Sequence, residues 1–211
     1  MTDTSASTPT IDAQPALYEA KIGLLFKRRL TITHEGIHWK GRVIRFSDVV
    51  STGWGGTSRS YNGIPTGTVY DIHLDDRQQR TPMRIKTRQK AVYGTVTDII
   101  WQHAGIDILT RLLTGLKSGE RYVVGNAVVT DEGIHINRKK LFKAPEAFYF
   151  PWQNVQLSRY QGTLTIMGAR NISQQLSYNE NNNTHIIDRA ITIALEHGLT
   201  RLSDMLPSAS E

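Results

Sequence analysis

Apolar and polar positions alternate with period two through much of the first half of the chain. Phe26, Leu30 and Ile32 share one parity, and Thr68, Tyr70, Ile72 and Leu74 alternate with Val69, Asp71 and His73. Met83 and Ile85 alternate with Arg84 and Lys86. This pattern predicts half-buried antiparallel strands. Ile37 to Trp39 and Val43 to Phe46 read as further short strands, with His34-Glu35-Gly36 as a turn whose glycine tolerates positive φ. The period then changes. Val92, Val96 and Ile99/Ile100 form a helical stripe, which Gly105 is expected to end or bend, and Ile108 to Leu116 form a second segment.

The second half repeats this order. Leu30 to His38 (LTITHEGIH) has a counterpart in Val128 to His135 (VVTDEGIH), with T-[HD]-E-G-I-H shared at a displacement of 97 residues. Phe46-Ser-Asp-Val49 resembles Phe150 to Val155 (FPWQNV), and Ile106 to Leu112 resembles Leu199 to Leu202. Three echoes in the same order point to a tandem duplication. Tyr122/Val124, Ile134/Ile136, Phe148/Phe150, Leu164/Ile166 and Leu176/Tyr178 predict the second set of strands. After the asparagine-rich run 179–184, Ile187, Ala190/Ile191, Ala194 and Leu195 predict a last helix, capped near Gly198. The expected organisation is a disordered leader (1–16), a first unit with a linker helix (17–117), a second unit (118–206) and a short tail (207–211).

Units of about 90 residues, several antiparallel strands and then one helix, resemble the pleckstrin-homology-like (PH-like) superfamily, with its bacterial and GRAM-like members. The likeness spans Leu17 to Leu206 and rests on element order, unit length and the HEGIH/DEGIH hairpin. It implies an α+β fold: two units, each a bent antiparallel sheet or partly open barrel closed by a C-terminal helix. The superfamily's phosphoinositide signature, cations spaced across the first hairpin, is matched loosely by Lys27-Arg28-Arg29 with Lys40 and Arg42. The second unit's first hairpin lacks it.

The chain carries a net charge of +6, unevenly spread. Leu17 to Lys117 holds sixteen Lys/Arg against eight Asp/Glu, a net of +8, whereas Ser118 to Leu206 holds nine against eight. The bias favours an anionic partner for the first unit. No cysteine is present, which excludes disulfides, thiolate metal sites and a cysteine nucleophile. No apolar run approaches the roughly 20 residues a membrane-spanning helix needs. The N-terminus has no basic or apolar signal region, so a cytoplasmic protein, peripheral at a membrane in one variant, is the expectation.

HEGIH satisfies the zinc-protease string H-E-x-x-H. That site needs a helix placing both histidines one turn apart, but the flanks alternate and Gly36 costs a helix about 1 kcal/mol. In a strand His34 and His38 would be roughly 13 Å apart. The second copy, with Asp131 in place of the first histidine, also speaks for a turn over a zinc hydrolase. No P-loop, nucleophile elbow or dinucleotide fingerprint occurs, and no cofactor is implied.

Two stretches remain. Gly53 to Gly67 (GWGGTSRSYNGIPTG) reads as a long loop carrying Trp54 and Tyr61, either covering a partner or folding Trp54 back onto the sheet. Arg77 to Lys90 has six cations and no acid, and on a strand Arg84, Lys86, Arg88 and Lys90 would form one basic stripe. Lys139, Lys140 and Lys143 form a smaller cluster. The function expected is a non-enzymatic binding or adaptor protein. Its contact residues are Lys27, Arg28, Arg29, Trp54, Tyr61, Arg84, Lys86, Arg88 and Lys90, and its partner an acidic protein surface or anionic lipid. The alternative is a nucleic-acid binder using the Arg77–Lys90 stripe. Oligomeric state is not set by any of these features.

Overall fold

The computed structural model describes residues 15–23, 26–78, 81–140 and 143–207. The expected leader and tail therefore lie almost wholly outside the described residues. The fold is α+β, with four antiparallel sheets. In the first half, β1 (Tyr18–Ile22), β2 (Arg28–Ile32), β3 (Gly36–Trp39) and β4 (Arg42–Arg45) form a four-stranded meander. A 3₁₀ turn leads to a three-stranded meander of β5 (Val49–Tyr61), β6 (Ile64–Asp76) and β7 (Met83–Thr87). The second half runs the same way. β8 (Tyr122–Val124), β9 (Ala127–Val129), β10 (Gly133–Lys140) and β11 (Lys143–Pro151) form four strands, and β12 (Gln156–Tyr160), β13 (Thr163–Met167) and β14 (Ser173–Ser177) form three.

Period-two burial explains these strands. Leu30, Ile32, Ile37, Ile44, Ile72, Leu74, Met83 and Ile85 of the first half, and Ile134, Ile136, Leu164, Ile166 and Leu176 of the second, are all buried in one hydrophobic core cluster. Trp39 joins the first two sheets, its Nε1–H donating to the Arg84 carbonyl at 2.9 Å. Phe26 departs from its predicted parity. It precedes β2 and is 85% exposed, because the strand begins only at Arg28.

Helix α1 (Lys90–Ile100) packs on β6 and β7 through Val92, Val96 and Ile100. The regular helix ends at Ile100, and a π-helical turn, Trp101–Gly105, joins it to α2 (Ile106–Lys117) with helical dihedrals at both junctions. Gly105 closes that turn and leaves room for a neighbour, since a Cβ there would lie 2.7 Å from Cε3 of Trp101. Helix α2 then contacts β5, α3 (Thr184–Glu196) and the closing 3₁₀ turn Leu202–Met205. Gly198, at φ 63°, follows the end of α3 as expected.

The HEGIH and DEGIH strings adopt one geometry. Thr33 N–H donates to Gly36 O at 3.0 Å, and Thr130 N–H to Gly133 O at 2.9 Å. Phe46 N–H donates to Glu35 O at 2.8 Å, and Trp152 N–H to Glu132 O at 3.3 Å. Each aromatic starts a 3₁₀ turn, Phe46–Asp48 or Trp152–Asn154. Both glycines are forced by the opposite strand. A Cβ on Gly36 would sit 2.2 Å from Ile44 O, and one on Gly133 2.3 Å from Phe150 O.

Candidate functional site

Strand β7 alternates as predicted, with Met83, Ile85 and Thr87 buried and Arg84 and Lys86 exposed. The stripe is shorter than expected. The strand stops at Thr87, so Arg88 lies in the connection and Lys90 opens α1, both exposed. Lys86 is committed to an ion pair with Asp71 at 3.2 Å. At the other basic cluster Lys27, Arg28 and Arg29 are all exposed beside Phe26, and Arg29 pairs with Glu19 at 2.5 Å. Among the described residues Lys27, Arg28, Arg84, Arg88 and Lys90 form no ion pair. The side chains of Lys139, Lys140 and Lys143 lie outside the described set.

The stretch 53–67 is not a loop. It belongs to a long hairpin in which β5 and β6 pair from Val49↔Asp76 to Tyr61↔Ile64. Asn62 (φ 49°) and Gly63 (φ 80°) make the tight turn that this pairing requires. Serines and threonines between the glycines hid the strand, since they fit both loop and solvated ribbon. Tyr61 stands at the tip, 73% exposed, opposite Ile64 at 68%.

Trp54 is buried, and what covers it is the second half of the chain. His185, in the first turn of α3, lies on the indole with ring centroids 4.3 Å apart, and Tyr178 stacks on the same imidazole at 4.3 Å. His185 Nε2 is 2.7 Å from the Trp54 carbonyl, which only accepts, so Nε2 carries the proton. Burial lowers the His185 pKa to about 4, against the opposing effects of that hydrogen bond and of Asp188, while His73 lowers it slightly further. Tyr178 donates to Asp188 at 2.6 Å, and burial followed by this bond raises its pKa. Arg159 closes the chain, gripping Asp188 at 2.6 Å and Thr192.

The asparagine run makes the rest of this seam. β5 is the edge of its sheet, and Asn183 pairs with it as a strand would: its N–H donates to Thr52 O at 2.8 Å, and Thr52 N–H donates to its Oδ1 at 2.9 Å. Asn183 adopts φ 60°, which asparagine tolerates better than most residues. The Asn182 amide donates to Ser51 Oγ at 3.0 Å and Asp75 Oδ2 at 2.8 Å, leaving Oδ1 to accept from His73 Nε2 at 2.9 Å. Gly53 makes room for the His73 ring of β6, and Gly55 for the loop. A Cβ at Gly53 would lie 2.2 Å from His73 Cε1, and one at Gly55 2.5 Å from Asn179 Oδ1. Thus G-W-G-G and N-E-N-N-N-T, far apart in sequence, are two halves of one interface. No local signal pairs them.

Neither seam nor turn assembles a recognisable reaction centre. The Ser51 hydroxyl bonds Asp75 and Asn182, while the His73 ring bonds Asn182, so in the seam the two side chains do not bond each other. In HEGIH, His34 sits at the exposed turn and His38 in β3, and His34 meets His103 of the π-turn edge-on at 5.9 Å. A cavity of about 530 Å³ beside α2 mixes Lys117, Arg121, His135 and Arg201 with Asp131 and Glu132, and Arg201 is already paired with Glu132 at 2.6 Å. Among the described residues no His/Asp/Glu group is arranged to hold a metal, and no helix is long and apolar enough to cross a membrane. No protein-family model, curated protein or solved structure matches the chain.

Proposed function

We propose that this chain is a non-enzymatic binding or adaptor protein of two PH-like units, arisen by duplication, in which the first unit's cations contact an anionic partner. Support for the PH-like reading comes from the repeated order of four strands, three strands and a helix, and from the shared T-x-E-G turn. Exposed cations that form no ion pair among the described residues carry the functional reading. Lys27 and Arg28, and Arg84, Arg88 and Lys90, fall in two short runs of the first half, whereas Arg121, Arg170 and Arg189, likewise exposed in the second, stand far apart along the chain. The second unit buttresses the first through the Trp54–His185 seam. The partner is an acidic protein surface or an anionic lipid, which fits a protein of the cytoplasm or of a membrane periphery.

The test is binding of the full chain to polyglutamate beads and to phosphatidylserine vesicles across a salt series. Retention at low ionic strength, lost with salt and in the triple variant Arg84→Glu/Arg88→Glu/Lys90→Glu, is the expected result. Indifference to both polyanions would overturn the reading. Tighter binding to a duplex oligonucleotide than to either would favour the nucleic-acid alternative.

A further inference from the structure

We propose that the far end of the β5–β6 hairpin is a wedge that enters an anionic bilayer surface; this rests on the anionic-partner reading and deepens it. The hairpin outgrows its fold. β5 and β6 are 13 residues each, whereas β12 and β13, in the same place in the second half, are 5 each. β7 ends opposite Tyr70, so beyond the Gly56↔Tyr70 pair the ribbon has no third strand. Burial stops with it, since residues 56–61 and 64–67 are all exposed. The core therefore does not require the ribbon, and two strands without a core are marginal in water.

What the ribbon displays is ordered by its register. Tyr61 and Ile64 are cross-strand partners and so point to one face; Arg59, paired with Gly67, lies just behind them across a register shift at Arg59/Ser60. Thr57, Ser58, Ser60, Thr66 and Thr68 make the shaft polar, and Arg59 is the single charge between Gly56 and Val69. Arg59 lies about 7 Å behind the tip and the root about 17 Å behind it at strand rise. At the root, the continuation of β7 past Thr87 brings Arg88 and Lys90, with Arg84 three residues further back opposite His73.

An apolar tip, one cation just behind it and a basic root match the layers of an anionic bilayer. Tyrosine favours the interfacial layer, Arg59 falls among the headgroups, and the root cations act through the surface potential over roughly a Debye length. A nucleic acid would be met by cations along the shaft, which has only one. Tip and root thus address one surface.

Flotation of the full chain with phosphatidylcholine vesicles, with and without phosphatidylserine, tests this. Wild type is expected to float with the anionic vesicles only. Tyr61→Ser/Ile64→Ser should weaken that partition about tenfold or more and Arg59→Glu about fivefold or more, with thermal midpoints unchanged because these side chains touch no core. The tip variant should still bind polyglutamate through the root cations. Vesicle binding by the tip variant equal to wild type would overturn the wedge and leave the anionic reading standing. So would wild type that ignores vesicles yet binds polyglutamate. Binding to neither would remove both.

Discussion

The imidazole of His185 lies flat on the indole of Trp54, 4.3 Å between centroids and 15° between planes, joining residues from opposite halves of the chain. Tyr178 covers the other side of the imidazole, and the Nε2–H bond to the Trp54 carbonyl fixes its rotation. The seam is thus a stack of three rings beside a β-edge closed by Asn183. Trp54→Ala, which empties a buried site, should cost about 3–5 kcal/mol. His185→Ala should cost about 2 kcal/mol through the lost stack and hydrogen bond. Urea unfolding measures both, and an unchanged midpoint in either variant would contradict the seam.

The same histidine makes the seam sensitive to acid. Its pKa falls from the ordinary 6.5 to about 4 on folding, so between those values the unfolded chain binds the proton and the folded chain does not. Stability from this group is whole above about 6.5 and is lost as pH falls through about 4, a contribution near 3 kcal/mol at most. His185→Phe keeps a stacking ring without titrating. The difference in unfolding free energy between wild type and this variant should shrink or reverse from pH 7 to pH 4.5, in favour of the variant. A constant difference would show that His185 does not titrate in the seam.

Glycines at the seam and in α1 should respond oppositely to the same change. Gly53→Ala pushes a methyl group into the His73 ring and should cost about 1–3 kcal/mol. Gly94, inside α1, faces open space where a methyl group would go, with nothing within 4 Å, so Gly94→Ala should stabilise by about 0.5–1 kcal/mol. Thermal unfolding of the two variants is the measurement.

The paired turns make a matching prediction. Gly36→Ala and Gly133→Ala each bring a Cβ within 2.2–2.3 Å of a carbonyl oxygen on the neighbouring strand. Both should destabilise by about 2 kcal/mol or more. A large cost at one position and none at the other would separate the two turns despite their shared letters.

Legibility in the sequence followed the range of the interactions. Turns and alternating strands were readable because Thr33, Gly36, Met83 and Ile85 act on their neighbours, and the repeated string made each turn a control for the other. β1 and β12 escaped notice: β12 buries little, and β1 mixes Tyr18 and Ala20 with Glu19 and Lys21 in a short span. Gly105 was legible as a change in the helix, but the reason for a glycine was not, since only the fold shows the Trp101 ring beside it. The cations of the candidate surface were visible as letters. Their pairing was not, since Lys86 meets Asp71 through the register of β6 with β7. Trp54 read either as covering a partner or as folding back within the chain, and it is buried inside the chain under His185, 131 residues away.

The first unit's exposed cations are proposed to make the contact with an anionic partner, and this is the claim on which the rest depends. Hydrogen–deuterium exchange of the full chain, alone and with phosphatidylserine vesicles or polyglutamate, measures where contact occurs. The expected result is slowed exchange at Lys27–Arg29 and Arg84–Lys90, joined by the Tyr61–Ile64 tip with vesicles only, and unchanged exchange in β12 and β13. Protection confined to the second half, or none in either basic cluster, would contradict it.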